Sequence, residues 1–129
     1  MFNRTEEFLT ERKGIHTARE IFQQPSVWRI IFADYAEKRE RFQKFIDTIL
    51  EKHQRVKVIF TGAGTSAFTG DMVVPGLTSQ GHENFDFVAI PTTDIVAAPT
   101  HYLRKHEPTI LVSFGRSGNS PESVAAMEL

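Results

Sequence analysis

An α/β fold built on a parallel sheet is what this 129-residue sequence predicts, and three observations predict it. Short apolar runs rich in β-branched and aromatic residues recur at residues 56–60, 85–90 and 109–113, the pattern of strands in a buried sheet. The segments between them can be helical, so the connections are crossovers; that order implies parallel, right-handed pairing with helices on both faces. Two of the three strands run into a turn rich in Gly, Ser and Thr that opens a helix. The expected architecture is a doubly wound, three-layer sandwich, with residues 1–54 as a helical segment ahead of it and residues 55–129 as the sheet domain. Three strands fall short of the five or so usual in a sheet, so the sheet is expected to be incomplete.

In the helical segment, Thr17-Ala-Arg-Glu20 has the spacing of a capping box: a hydroxyl satisfies one orphan N–H and a carboxylate three residues on reaches back. A short helix to about Gln24 follows, and Pro25 with Ser26 is expected to interrupt it. Beyond them Trp28, Ile31, Tyr35, Phe42, Phe45, Ile46, Ile49 and Leu50 fall on one stripe of a long helix. The opposite face carries Glu37-Lys-Arg-Glu-Arg41, a mixed-charge run that reads as solvated helix surface. In the first crossover, Pro75-Gly76 is expected to end or kink the helix. Thr92-Thr93-Asp94 offers capping residues ahead of Ile95 and Val96.

The two turns carry the chemistry. The first, Thr61-Gly-Ala-Gly-Thr-Ser-Ala67, contains Gly62-x-Gly64-x-x-Ala67, a form of the dinucleotide fingerprint. That fingerprint also wants an acidic residue at the end of the second strand to hold a ribose; here the position reads Ile90-Pro91-Thr92, with Asp94 displaced into the next turn. A Walker phosphate loop is excluded because no Gly-Lys-Ser/Thr follows the glycines. The second turn, Gly115-Arg-Ser117-Gly-Asn119, approaches a nucleophile elbow but has Asn119 where glycine is needed, and no histidine follows Ser117.

What both turns do offer is an anion's needs. Thr65, Ser66, Ser117 and Ser120 supply hydroxyl donors, Gly118 allows close backbone approach, and Pro121 suits the first helical position ahead of Glu122 and Ser123. One such turn is explained by capping of its own helix. Two at the carboxyl ends of strands in one parallel sheet point to a shared crevice and a phosphate. Arg116 is placed either to add attraction or to be solvated. Several charge-assisted bonds, each worth about 1.5 to 3 kcal/mol, hold a dianion without an obligatory cation, so no cofactor is expected. His16, His53, His82, His101 and His106 show no metal-ligand spacing, and no metal is expected either.

Composition narrows the class. The absence of cysteine excludes disulfides, thiol catalysis and cysteine metal sites. A net charge of −1 creates no basic field that would make nucleic acid the main partner. No apolar run approaches the roughly 20 residues needed to span a bilayer, and the N-terminus lacks the cationic-then-apolar order of a signal peptide. Neither membrane association nor export is therefore expected, and a cytoplasmic location is. An unfinished sheet leaves an apolar edge, from which a homo-oligomer is expected.

At the two turns the sequence resembles the sugar isomerase (SIS) domain family, whose sheet is flavodoxin-like. Gly64-Thr65-Ser66 and Ser117-Gly118-x-Ser120 match that family's two phosphosugar-binding loops in residue type, order and position after strands. The string from Ser113 to Ala126, with the upstream Thr17-x-Arg-Glu-Ile-x-Gln-Gln-Pro-x-x-Trp28, is similar to the AgaS-like branch, comprising tagatose-6-phosphate ketose/aldose isomerases and galactosamine-6-phosphate deaminase/isomerases. The resemblance runs from about residue 15 onward and implies the N-terminal portion of such an enzyme. It implies a small phosphosugar as ligand, with Ala63, Gly64, Thr65 and Ser66 in the first ligand loop and Arg116, Ser117, Gly118 and Ser120 in the second. Gly115 departs from the wider family, where another serine stands. No residue of this sequence is an evident general base for the proton transfer the reaction needs; Glu122, beside the second loop, reads as a helix cap. Two other readings stand beside the enzyme: a non-catalytic phosphosugar-sensing module, and an inactive fragment.

Overall fold

The computed structural model describes residues 1–81 and 83–129, and its chain divides into two units, Met1–Ile46 and Asp47–Leu129. His82 lies outside the described residues.

The first unit is helical. Helix α1 (Glu6–Glu11) starts where Thr5 Oγ1 accepts a hydrogen bond from the Phe8 amide at 3.2 Å. The Arg4 and Arg12 guanidinium groups lie over the Phe8 ring, 5.0 and 5.3 Å from its centre. Helix α2 runs from Ile15 to Leu50 and carries the chain on into the second unit. It corrects two expectations. Thr17 does not open a helix, because the ladder has already begun: the Ala18 amide donates to the Gly14 carbonyl at 2.9 Å. Nor does Pro25 stop it. A proline inside a helix removes one donor and costs about 3 kcal/mol, a local loss that the turns on either side of it outlast in a helix of 36 residues. The expected apolar stripe does lie along α2, and it is exposed: Trp28 is 61% accessible, Ile31 59% and Phe45 55%.

The second unit is a three-stranded parallel sheet in the order β2-β1-β3, formed by β1 (Val56–Gly62), β2 (Phe85–Ala89) and β3 (Thr109–Phe114). The α/β class and the parallel, open sheet follow the expectation. β1 is the central strand, paired with β2 from Val56↔Phe85 to Phe60↔Ala89 and with β3 from Lys57↔Thr109 to Gly62↔Phe114. It buries both faces, with Val56 and Val58 on one and Ile59 and Thr61 on the other, as a parallel central strand must.

Alternation along β1 also places the helices. Helix α3 (Ala67–Gln80) brings Gly70 against Phe60, so close that a Cβ there would stand 3.1 Å from both the Phe60 Cβ and its carbonyl oxygen. The next residue, Thr61, points the other way and hydrogen bonds to Thr92, the first residue of α4 (Thr92–Ala97). The two helices therefore cover opposite faces of the sheet. On the α3 face Phe60 stacks on Phe114 of β3 at 6.1 Å and tilts against Phe87 of β2 at 6.3 Å, tying the strands together across their register. A short α5 (Pro99–Tyr102) and α6 (Pro121–Met127) complete the unit, α6 packing against α4.

One further expectation is corrected in this unit and another is decided in part. Of the two outcomes expected at Pro75-Gly76, an end to the helix does not occur, since α3 continues to Gln80. Thr92 does not cap α4: Pro91 holds the N-cap position, and the Thr92 hydroxyl is turned inward to Thr61.

Candidate functional site

β1 crosses over to β2 on one side, and the chain later returns to place β3 on the other. The gap beyond the carboxyl ends of β1 and β3 is therefore a topological switch point, where an open α/β sheet leaves a crevice between diverging loops. A cavity of about 260 Å³ occupies it. Its walls are Ala63, Gly64, Thr65 and Ser66 from the loop after β1, and Phe114, Gly115, Arg116, Ser117, Gly118, Ser120 and Ser123 from the end of β3 and the loop beyond. All eight residues singled out in the sequence line this one cavity.

Each loop is shaped by a glycine in the left-handed region, Gly64 at φ +57° and Gly118 at φ +69°. A Cβ would meet nothing within 4 Å at either position, so backbone conformation rather than packing calls for glycine there. Gly62 is required for the opposite reason: a Cβ on it would lie 2.6 Å from the Ser66 carbonyl carbon and 2.9 Å from the Ala67 nitrogen. That close approach lets the chain turn from β1 through a 3₁₀ segment (Gly64–Ser66) straight into α3.

The hydroxyls are not equivalent. Ser66 stands at the N-cap of α3 without making a capping bond through its side chain, and Thr65 is exposed at the cavity wall. Ser117 Oγ accepts from the Asn119 amide at 3.3 Å, which orders its own turn. Ser120 is the N-cap of α6; its Oγ accepts from the Ser123 amide at 3.4 Å and donates to Ser123 Oγ at 2.9 Å. Arg116 is exposed and has no ion-pair partner among the described residues. Among the described residues no carboxylate lines the cavity, so its donors face an approaching anion without competition from a fixed negative charge. Nor, among the described residues, does the lining include a side chain of a type that ordinarily exchanges a proton near neutral pH.

Sequence reasoning did not assign Phe114 or Ser123 to the site. Phe114 is the last residue of β3 and reaches the cavity because the strand runs one residue further than its apolar run. Ser123 follows Ser120 by one helical turn, a spacing visible in the sequence, but its burial comes only from the packing of α6 on α4.

An open parallel α/β sheet with paired hydroxyl- and glycine-rich loops at its switch point is the arrangement of a sugar isomerase domain. The chain is similar to AgaS-like relatives through most of its own length. It is 47% identical over 116 residues to the D-galactosamine-6-phosphate deaminase AgaS of Escherichia coli, a match covering 90% of this chain and 29% of that protein. Among solved structures it superposes on a tagatose-6-phosphate ketose/aldose isomerase from Escherichia coli with a TM-score of 0.81 at 44% identity. A protein from Clostridium novyi NT, provisionally named a tagatose-6-phosphate ketose/aldose isomerase, gives 0.88 at 48% identity. These alignments cover 91% and 96% of this chain and 31% of each of the two structures. The chain thus spans about a third of the length of the relatives it matches. No protein-family model matches it.

Proposed function

We propose that the loops after β1 and β3 grip the phosphate of a 6-phospho sugar, and that residues 55–129 are part of the phosphosugar-binding domain of an aldose–ketose isomerase or amino-sugar-phosphate deaminase. The observation that carries this reading is the cavity itself: five hydroxyl residues (Thr65, Ser66, Ser117, Ser120 and Ser123) and Arg116 line it, and no carboxylate among the described residues opposes them. The relatives' names support galactosamine-6-phosphate or tagatose-6-phosphate as the substrate in this reading. On the amino sugar the full-length protein would open the ring, move a proton between C1 and C2 to give the C2 imine, and hydrolyse that imine with one water, releasing ammonia and leaving the ketose phosphate. The cavity's side chains supply binding and orientation for this sequence of steps, and its proton transfer needs a group from outside the cavity.

That division favours a second reading for the chain taken by itself, namely binding without turnover. The same reading supports a cytoplasmic location, where a charged sugar phosphate that a bilayer does not pass is retained. The exposed apolar stripe of α2 supports self-association of the chain.

The test is calorimetric titration of the chain with galactosamine-6-phosphate and, separately, unphosphorylated galactosamine, with ammonia release followed in parallel. Saturable binding of the phosphorylated sugar alone, without ammonia release, is expected. Ser66→Ala and Ser117→Ala should each weaken it by about tenfold or more, the worth of a charge-assisted hydrogen bond. Binding by both variants equal to that of the unaltered chain refutes the loop assignment.

A further inference from the structure

Ser123 is more than a residue of α6 that happens to reach the cavity. It is 7% accessible, and it engages the Ser120 hydroxyl twice, through its amide at 3.4 Å and through its own Oγ at 2.9 Å. A serine hydroxyl has one proton and two acceptor positions. As the structure stands, the single proton of Ser120 is spent on Ser123 Oγ and is not available to an anion.

We infer that Ser123 is a positioning residue that switches Ser120 from internal capping to anion binding by reversing the hydrogen bond between the two hydroxyls. This rests on the phosphate reading of the cavity. When an anion enters, the Ser120 O–H turns toward it, and the Ser123 O–H turns to donate to the oxygen that Ser120 has just freed. Ser120 Oγ then accepts from both the amide and the hydroxyl of Ser123 while donating its one proton to the anion. The count of hydrogen bonds inside the protein is unchanged, so the exchange leaves no buried group unsatisfied. Two donors on Ser120 Oγ also polarise its O–H, strengthening the bond it gives. Both hydroxyls line the cavity, and neither has to move its backbone.

Titration of the chain with inorganic phosphate and with a hexose 6-phosphate, in a double-mutant cycle at positions 120 and 123, tests this. Ser123→Ala is expected to weaken binding about three- to tenfold, Ser123→Thr to restore it, and Ser123→Ala to have no further effect once Ser120→Ala is present. A thermal melt of each variant identifies one that has lost its fold; Ser123→Thr, which keeps the hydroxyl, then carries the comparison with Ser120→Ala. Equal losses from Ser123→Ala in both backgrounds make its role merely structural and overturn the inference while leaving the phosphate site standing. An absence of saturable phosphate binding by the unaltered chain overturns both.

Discussion

The hydroxyls of Thr61 and Thr92 meet 3.0 Å apart across 31 positions of sequence, where the end of β1 meets the start of α4. Thr61 is 1% accessible and Thr92 fully buried, so neither can turn to water instead. The pair anchors α4 at the carboxyl edge of the sheet, and α4 in turn supports α6 beside the cavity.

Removing one hydroxyl of this pair leaves the other buried and unsatisfied. Thr61→Val and Thr92→Val should therefore each destabilise the chain by about 1 to 3 kcal/mol. The double variant should recover much of that loss, since two apolar groups of the same shape need no hydrogen bond. Urea denaturation of the three variants measures the coupling, and strictly additive losses contradict it.

At Gly62 the conflict is steric. Because the atoms in the way belong to the backbone of Ser66 and Ala67, Gly62→Ala cannot be relieved by a rotamer change. A loss of about 1 to 3 kcal/mol is expected, with weaker phosphate binding as Ser66 is pushed from its place. An unchanged thermal midpoint would show that the turn has slack the structure does not display.

Arg55 and Asp86 join the start of β1 to β2 by two hydrogen bonds of 2.6 Å. The guanidinium hydrogen bonds hold the Asp86 carboxyl below its ordinary value of 3.8. A carboxyl lowered on folding adds stability at pH values above its unfolded pKa, and that contribution disappears as pH falls through the lower folded value. Comparing the wild-type chain with Asp86→Asn across pH 2 to 6, about the range of carboxylate titration, should show a gap that closes at the acid end. The pair is exposed, so molar salt should narrow the gap at every pH.

The sequence has a single tryptophan, and it lies on the exposed stripe of α2. If copies of the chain associate through this stripe, Trp28 fluorescence shifts to the blue as concentration rises, and sedimentation shows the mass increasing in step. Ile31→Asp should abolish both changes. A monomer at all concentrations in sedimentation, with constant emission, argues that the stripe does not join copies of this chain.

The strands were legible because an apolar run in a buried parallel strand needs no tertiary information to be recognised. The two glycine turns were legible for a similar reason: their residue types answer to local backbone conformation and to donors at the cavity wall. Prolines misled for a reason of scale. Pro25 and Pro75 weaken a helix locally, and the turns on either side carry each helix past them. Thr92 was read as a cap because its type suits one, yet a buried partner on β1 claimed its hydroxyl instead.

By itself, then, the sequence determined where the chain extends, where it turns and which side chains offer donors, since each of these depends on residues within a few positions of one another. Only the tertiary structure decided that β1 lies between β2 and β3, that the loops after β1 and β3 enclose one cavity, and that Ser123 is buried against Ser120. Strand order and helix packing join residues tens of positions apart, and the free energy that selects them comes from burial across the whole sheet, which no local pattern records.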